Sequence, residues 1–201
     1  YKYRKQKYLL DIDYQNIKES GKEKTIQKYN NFYIEKMDVL YKGVNWKRFV
    51  AKYSDRLWTD DLYLGYLSHL IMDAIWFHDI ADKYVRIHSY PTRTEMYQKG
   101  YRDFDKLNVI LRKEYDLRNP LLKPEKIAIE EVRLEMLNNV YTGFEKDFTQ
   151  EGNWCGSDLE LYPYEALLAY MEKCRQVCIK EIEALKRGNS FIEPKELFAK
   201  Y

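Results

Sequence analysis

The feature that most constrains this chain is the run TDDLYLGYLSHLIMDAIWFHDIADKY, from Thr59 to Tyr84, almost wholly apolar or aromatic between Leu62 and Phe77. A run this apolar is either a membrane span or a helix buried in a folded domain. Its length from Leu62 to Ala81 would suffice for a span, but His69, Asp73, His78 and Asp79 would be expensive in lipid. The sequence therefore predicts a buried helix. Within it His69 and Asp73 stand four residues apart, one turn on the same face. At about 100° per residue from His69, Asp73 lies near 40°, Trp76 near −20° and Gly65 near −40°. Burying an imidazole and a carboxylate costs several kcal/mol unless each is paired or bound. What pairs them is the functional question.

At 201 residues the chain is long enough for one sizeable core, and it reads as a single domain over 1–201. Lys and Arg total 34 against 32 Asp and Glu, and no sustained basic stretch follows YKYRKQKY at the start, so no nucleic-acid partner is expected. That opening segment reads as a frayed terminus. Cys155, Cys174 and Cys178 are too few and too odd in number for a disulfide framework, which suggests a reducing compartment. Cys174 and Cys178, at helical spacing, read as small core hydrophobes. With no export signal and no membrane span in view, a cytoplasmic protein is expected. The first residue is Tyr1 rather than Met, which leaves room for an upstream segment.

In chain order, YLLDIDY leaves room for a short strand, and Ile26, Tyr29, Tyr33, Met37 and Leu40 predict a helix over 22–41 that Gly43 would cap. Trp46, Phe49, Val50, Tyr53 and Leu57 predict a short amphipathic helix. Thr59, Asp60 and Asp61 supply the start of the central helix, which should end between Lys83 and His88, before Pro91. A helix from Thr92 should turn Met96, Tyr97, Tyr101, Phe104, Leu107, Ile110 and Leu111 inward. Another should run from about Pro124 to Phe148. After the loop 149–163, a last long helix from Tyr164 to Arg187 should bury Leu168, Met171, Cys178, Ile182 and Leu185. The expected fold is all-α, a bundle of about six or seven helices around the buried central one.

The H-x-x-x-D pair can be read two ways. Imidazole and carboxylate both suit zinc and similar divalent ions, and one helical turn lets both reach a shared ion. Equally, the two could form a buried polar pair that holds helices in register. His78 falls near 180° from His69, out of reach of the same ion, with Asp82 as its i+4 partner. His88 lies beyond the helix end, in a loop. His78-Asp79 superficially matches the HD phosphohydrolase signature, without that signature's further ligands. Glu131 and Glu135, one turn apart, read as a solvated face. The 20 tyrosines read chiefly as packing at the rim of the helices, with an aromatic binding surface as the sharper alternative.

LGYLSHLIMDAIWF, from Leu64 to Phe77, resembles the central helix of bacterial proteins of the zinc-dependent phospholipase C-like superfamily (phospholipase C and P1 nuclease type). The similarity covers about 25 residues and the general helical architecture. It implies an all-α domain in which His69 and Asp73 bind zinc, and hydrolysis of a phosphodiester, typically of a lipid head group, by metal-bound water. Family sites use three zinc ions, several further histidines and an N-terminal residue. This chain has three histidines and none before His69, so it would be a divergent or incomplete member.

The leading expectation is thus a metal-dependent phosphoester hydrolase of this type, or a degenerate one. Its metal ligands would be His69 and Asp73, its cofactor zinc and its substrate a small molecule or lipid head group, with Asp61 and His88 as weaker candidates for further ligands. The alternative is a non-catalytic helical binding or assembly protein in which His69 and Asp73 form a polar pair. Ligand count separates the two: four or more convergent N/O groups favour an enzyme, two favour a scaffold.

Overall fold

The computed structural model describes residues 32–36, 39–120, 129–132 and 137–200, with side chains described over 43–120, 129–132 and 137–198. The expectations for residues 1–31, and for Glu135, lie outside the described residues. The chain divides into two compact units, Tyr1–Lys83 with Tyr170–Tyr201, and Tyr84–Ala169. The described residues are predominantly helical, as the periodicities imply. No described helix is long and apolar enough to cross a membrane.

The first unit opens with a small antiparallel sheet, β1 (Phe32–Lys36), β2 (Val39–Lys42) and β3 (Ala199–Lys200), in the order β1-β2-β3. Phe32 pairs with Lys42 and Tyr33 with Tyr41, and the register shifts between Ile34 and Lys36. The helix predicted over 22–41 is therefore a hairpin where it is described. The reason is periodicity: a spacing of four fits one helical turn and also two steps of a strand, and Phe, Tyr, Ile and Val favour the pleated backbone. Nor is Gly43 a helix cap. A Cβ there would run into the Phe198 ring, so glycine at this position lets the C-terminal segment pack closely.

Helix α1 (Trp46–Lys52) and the turn after it bury Trp46, Phe49, Tyr53 and Leu57, four of the five residues its amphipathic pattern singled out, while Val50 is only partly buried. Each large apolar side chain so buried contributes about 1.5–3 kcal/mol. The central helix α2 (Asp61–Ile75) starts at Asp60, whose carboxylate accepts the Leu62 N–H at 3.0 Å. It buries Tyr63, Leu67, Leu70, Ile71, Ala74 and Ile75. From Trp76 to Arg86 the same helix continues in π geometry, with i→i+5 bonding. It ends within the predicted window, but nothing in the sequence signals the change of pitch.

Helix α5 (Tyr164–Lys186) closes at Gly188, whose positive φ of 72° suits glycine, with the Asn189 N–H reaching back to the Ala184 carbonyl at 2.9 Å. Its buried positions are Leu167, Cys174, Val177, Glu181 and Ala184. The stripe read from the sequence is thus displaced by one residue, and those residues flank the core instead. The buried stripe includes one carboxylate, Glu181. Its fully buried carboxylate accepts Trp46 Nε1 at 3.0 Å, Ser190 Oγ at 3.1 Å, Phe191 N at 2.7 Å and Ile192 N at 3.1 Å. Glu181 ties α1, α5 and the C-terminal segment together, and a buried carboxylate held by several donors is satisfied rather than costly.

In the second unit, helix α3 (Thr92–Glu114) buries Gly100, Asp103, Leu107, Val109 and Ile110, while Tyr97 and Tyr101 are exposed rather than turned inward. Gly100 lies against Tyr162, where a Cβ would sit 2.6 Å from the tyrosine oxygen. Asp103 is fully buried and accepts three successive amides, Glu160 N at 2.6 Å, Leu161 N at 2.8 Å and Tyr162 N at 2.9 Å. Helix α4 (Leu137–Thr149) begins later than predicted: residues 129–132 form a turn, with the Val132 N–H on the Ile129 carbonyl at 3.0 Å. Arg112 donates to the Phe148 and Gln150 carbonyls at its C-terminal end, where a cation also complements the helix dipole.

Candidate functional site

The apolar face of α2 dictates where its two ionisable side chains go. With Tyr63, Leu67, Leu70, Ile71 and Ala74 turned into the core, His69 stands on the opposite side, the side on which Gly65 and Met72 are exposed. The pair meets as its spacing requires, His69 Nε2 lying 3.6 Å from Asp73 Oδ2. It is not evenly buried. The imidazole is 36% exposed and the carboxylate 13%, so the cost of burial falls on Asp73 rather than on both. The Tyr66 ring lies 6.0 Å from the imidazole, and Tyr66 in turn packs on Phe49 at 5.2 Å.

Two donors do not make a zinc site, which takes four ligands, or three with a water. Among the described residues no group of three or more His, Cys, Asp or Glu side chains is placed to hold an ion. Asp61 is an exposed acid in the first turn of α2, beside the Asp60 cap. His88 belongs to the second unit, where its carbonyl accepts Arg93 Nε at 2.6 Å. The described donors therefore fall short of the metal centre that the family resemblance implies. Burial pushes the thiols of Cys174 and Cys178 up to about 12 and about 11, so both stay protonated at neutral pH and pack as the small hydrophobes their spacing suggested.

The same unit holds a second polar cluster that sequence reasoning did not assemble. His78 Nδ1 lies 2.6 Å from Asp79 Oδ1, and Lys173 Nζ lies 2.7 Å from Asp79 Oδ2. Burial opposes ionisation of Asp79, but hydrogen bonds from Lys173 and then from His78 outweigh it and hold the carboxyl below its usual range. An ionised carboxylate can only accept, so His78 donates from Nδ1, and in the neutral ring the lone pair is then on Nε2. The sequence reading gave His78 to Asp82, its i+4 neighbour on a regular helix. In the π segment each residue advances by about 80° rather than 100°, which lets adjacent side chains converge. Close by, the Tyr170 hydroxyl donates to the Met72 carbonyl at 3.3 Å, and its ring meets Trp76 edge-on at 5.3 Å.

In the second unit the charged groups are engaged with one another. Arg102 and Lys106 both bind Glu160, at 2.6 and 3.0 Å, and Lys106 also donates to the Asp158 carbonyl at 2.7 Å. Those cations hold the exposed Glu160 carboxyl at about 2. Asp103 and Glu181, the two fully buried carboxylates among the described residues, are spent on backbone and side-chain donors. The signal that could have found them is a carboxylate falling in phase with an apolar helical stripe.

The chain matches no known protein-family model, no curated protein and no solved structure.

Proposed function

We propose that this protein is a non-catalytic helical binding or assembly protein, a bundle of six or seven helices organised on the helix that begins at Asp61. The observation that carries this reading is at His69 and Asp73: two side chains 3.6 Å apart, with no third His, Cys, Asp or Glu placed to share an ion with them among the described residues. A partner or ligand would meet exposed aromatic and aliphatic side chains such as Tyr97 and Tyr101, two neighbours on one face of α3. Surface aromatics of this kind supply contact area at low entropic cost.

The metal-dependent phosphoester hydrolase keeps one observation in its favour. His69 and Asp73 do converge, and the imidazole is open enough to accept an ion. Elemental mass spectrometry on protein purified without chelators, then re-measured after equilibration with zinc, decides between the two. The scaffold reading expects no stoichiometric metal in wild type, His69→Ala or Asp73→Ala. About one equivalent of zinc, lost in both variants, would overturn it and justify assays on small-molecule and lipid phosphodiesters.

A further inference from the structure

We propose that His78 is a phosphoryl-acceptor histidine, oriented by Asp79, whose other carboxylate oxygen is held by Lys173. The inference is independent of the reading of His69 and Asp73.

The geometry that carries it is the ordered chain His78–Asp79–Lys173. With Nδ1 donating to Asp79 at 2.6 Å, the ring orientation is fixed, and in the neutral imidazole the nucleophilic lone pair lies on Nε2. The side chain is 43% exposed, and among the described residues Nε2 has no partner. A lysine bridge alone would suffice to join the π segment to α5, so the helix packing does not require the imidazole on the same carboxylate. The π geometry that brings these neighbours together is rare in helices and recurs at functional sites.

An imidazole this open cannot keep water from a small bound substrate, so it does not suit a self-contained general base. It suits a side chain that itself receives a group from a donor. Attack of Nε2 on phosphorus forms an N–P bond and leaves the ring a phosphoimidazolium. Its positive charge is then met by the Asp79 carboxylate through Nδ1–H. Lys173, held 2.7 Å from the other carboxylate oxygen, keeps Asp79 ionised and so able to meet that charge. With phosphoramidate as donor, the P–N bond breaks as the new N–P bond forms, and the already protonated amine leaves as ammonia. No oxidant, reductant or further proton is needed.

The test is to incubate the whole chain with phosphoramidate and follow intact mass under neutral conditions. The modified residue is then mapped at alkaline pH, where phosphohistidine survives, and its loss is checked in acid. The expected result is one phosphoryl group on His78, gained faster than on His69 or His88 and absent in His78→Ala. Asp79→Asn, folded by circular dichroism, should slow the gain at least about tenfold, or about 1.4 kcal/mol of barrier. Lys173→Met, which breaks the link to α5 but leaves the His78–Asp79 bond, should slow it less. Equal labelling of the three histidines, or an Asp79→Asn rate equal to wild type, would overturn the proposal. So would equal slowing in Asp79→Asn and Lys173→Met, which would trace the effect to lost helix packing.

Discussion

Replacing Asp103 by alanine is expected to be the most damaging single change in the second unit. The side chain is fully buried and receives the amides of Glu160, Leu161 and Tyr162 at 2.6–2.9 Å, so truncation orphans three backbone donors together. Hydrogen bonds to a charged acceptor are each worth about 1.5–3 kcal/mol. Taking the low end for all three, because water can enter the vacated space, gives about 4.5 kcal/mol. Domains are typically stable by about 5–15 kcal/mol, so this is a large fraction of the total. At about 2–4 °C per kcal/mol for a chain of this size, melting should fall by about 10 °C. Urea denaturation followed by circular dichroism measures the loss, and hydrogen exchange at the three amides localises it. There the protection should drop by about a thousandfold, the same free energy at 1.4 kcal/mol per decade. Asp103→Asn keeps one acceptor oxygen and should cost about half as much. A loss under about 1 kcal/mol for Asp103→Ala, with exchange at 160–162 unchanged, would refute the view that this carboxylate holds the loop to α3.

Glu160 titrates in the folded protein at about 2, held down by Arg102 and Lys106, against an ordinary value of 4.5. A carboxyl depressed in this way stabilises above its unfolded value and loses that contribution as pH falls from about 4.5 through 2. Glu160→Gln should therefore lower the melting temperature slightly above about pH 4.5, converge on wild type towards pH 2, and so flatten the acid limb in that window. Thiol titration with an aromatic disulfide at pH 8 should label the exposed Cys155 in the native protein. The protonated, shielded Cys174 and Cys178 should react only in denaturant. Gly100→Ala sets about 1 kcal/mol of helix propensity against a Cβ that would lie 2.6 Å from the Tyr162 oxygen. Tyr162 is buried and cannot swing away, so overpacking of about 1–3 kcal/mol should win and urea midpoints should fall.

The helices were legible because their apolar spacing and end signals agree. Trp46, Phe49, Tyr53 and Leu57 lie in the core, as their pattern requires, and the start of α2 at Asp60 follows from an acid ahead of an apolar run. What the sequence hid has identifiable physical causes. Buried Glu181 and Asp103 are satisfied by donors distant in sequence. A reading that keeps carboxylates out of cores therefore rotates α5 by one residue and turns Tyr97 and Tyr101 of α3 inward. The hairpin at 32–42 escaped because residues four apart share a face in helices and strands alike. At the candidate site, the pairing of His69 with Asp73 was legible from spacing alone. The side of α2 on which it stands was not, since nearly every residue of that helix is apolar. The His78–Asp79 contact was hidden by a pitch change that no residue type announces.

The most direct test of the account follows the His69 imidazole itself. Nitrogen-15 NMR of the ring, recorded before and after one equivalent of zinc, reports the tautomer and any bond to an ion. With His69 Nε2 facing the Asp73 carboxylate at 3.6 Å and no third ligand among the described residues, the resonances should hold through the addition. They should move when Asp73→Asn removes the charged partner. A shift of the His69 nitrogen to a metal-bound position at one equivalent, abolished in Asp73→Asn, would contradict the account and restore the metal centre.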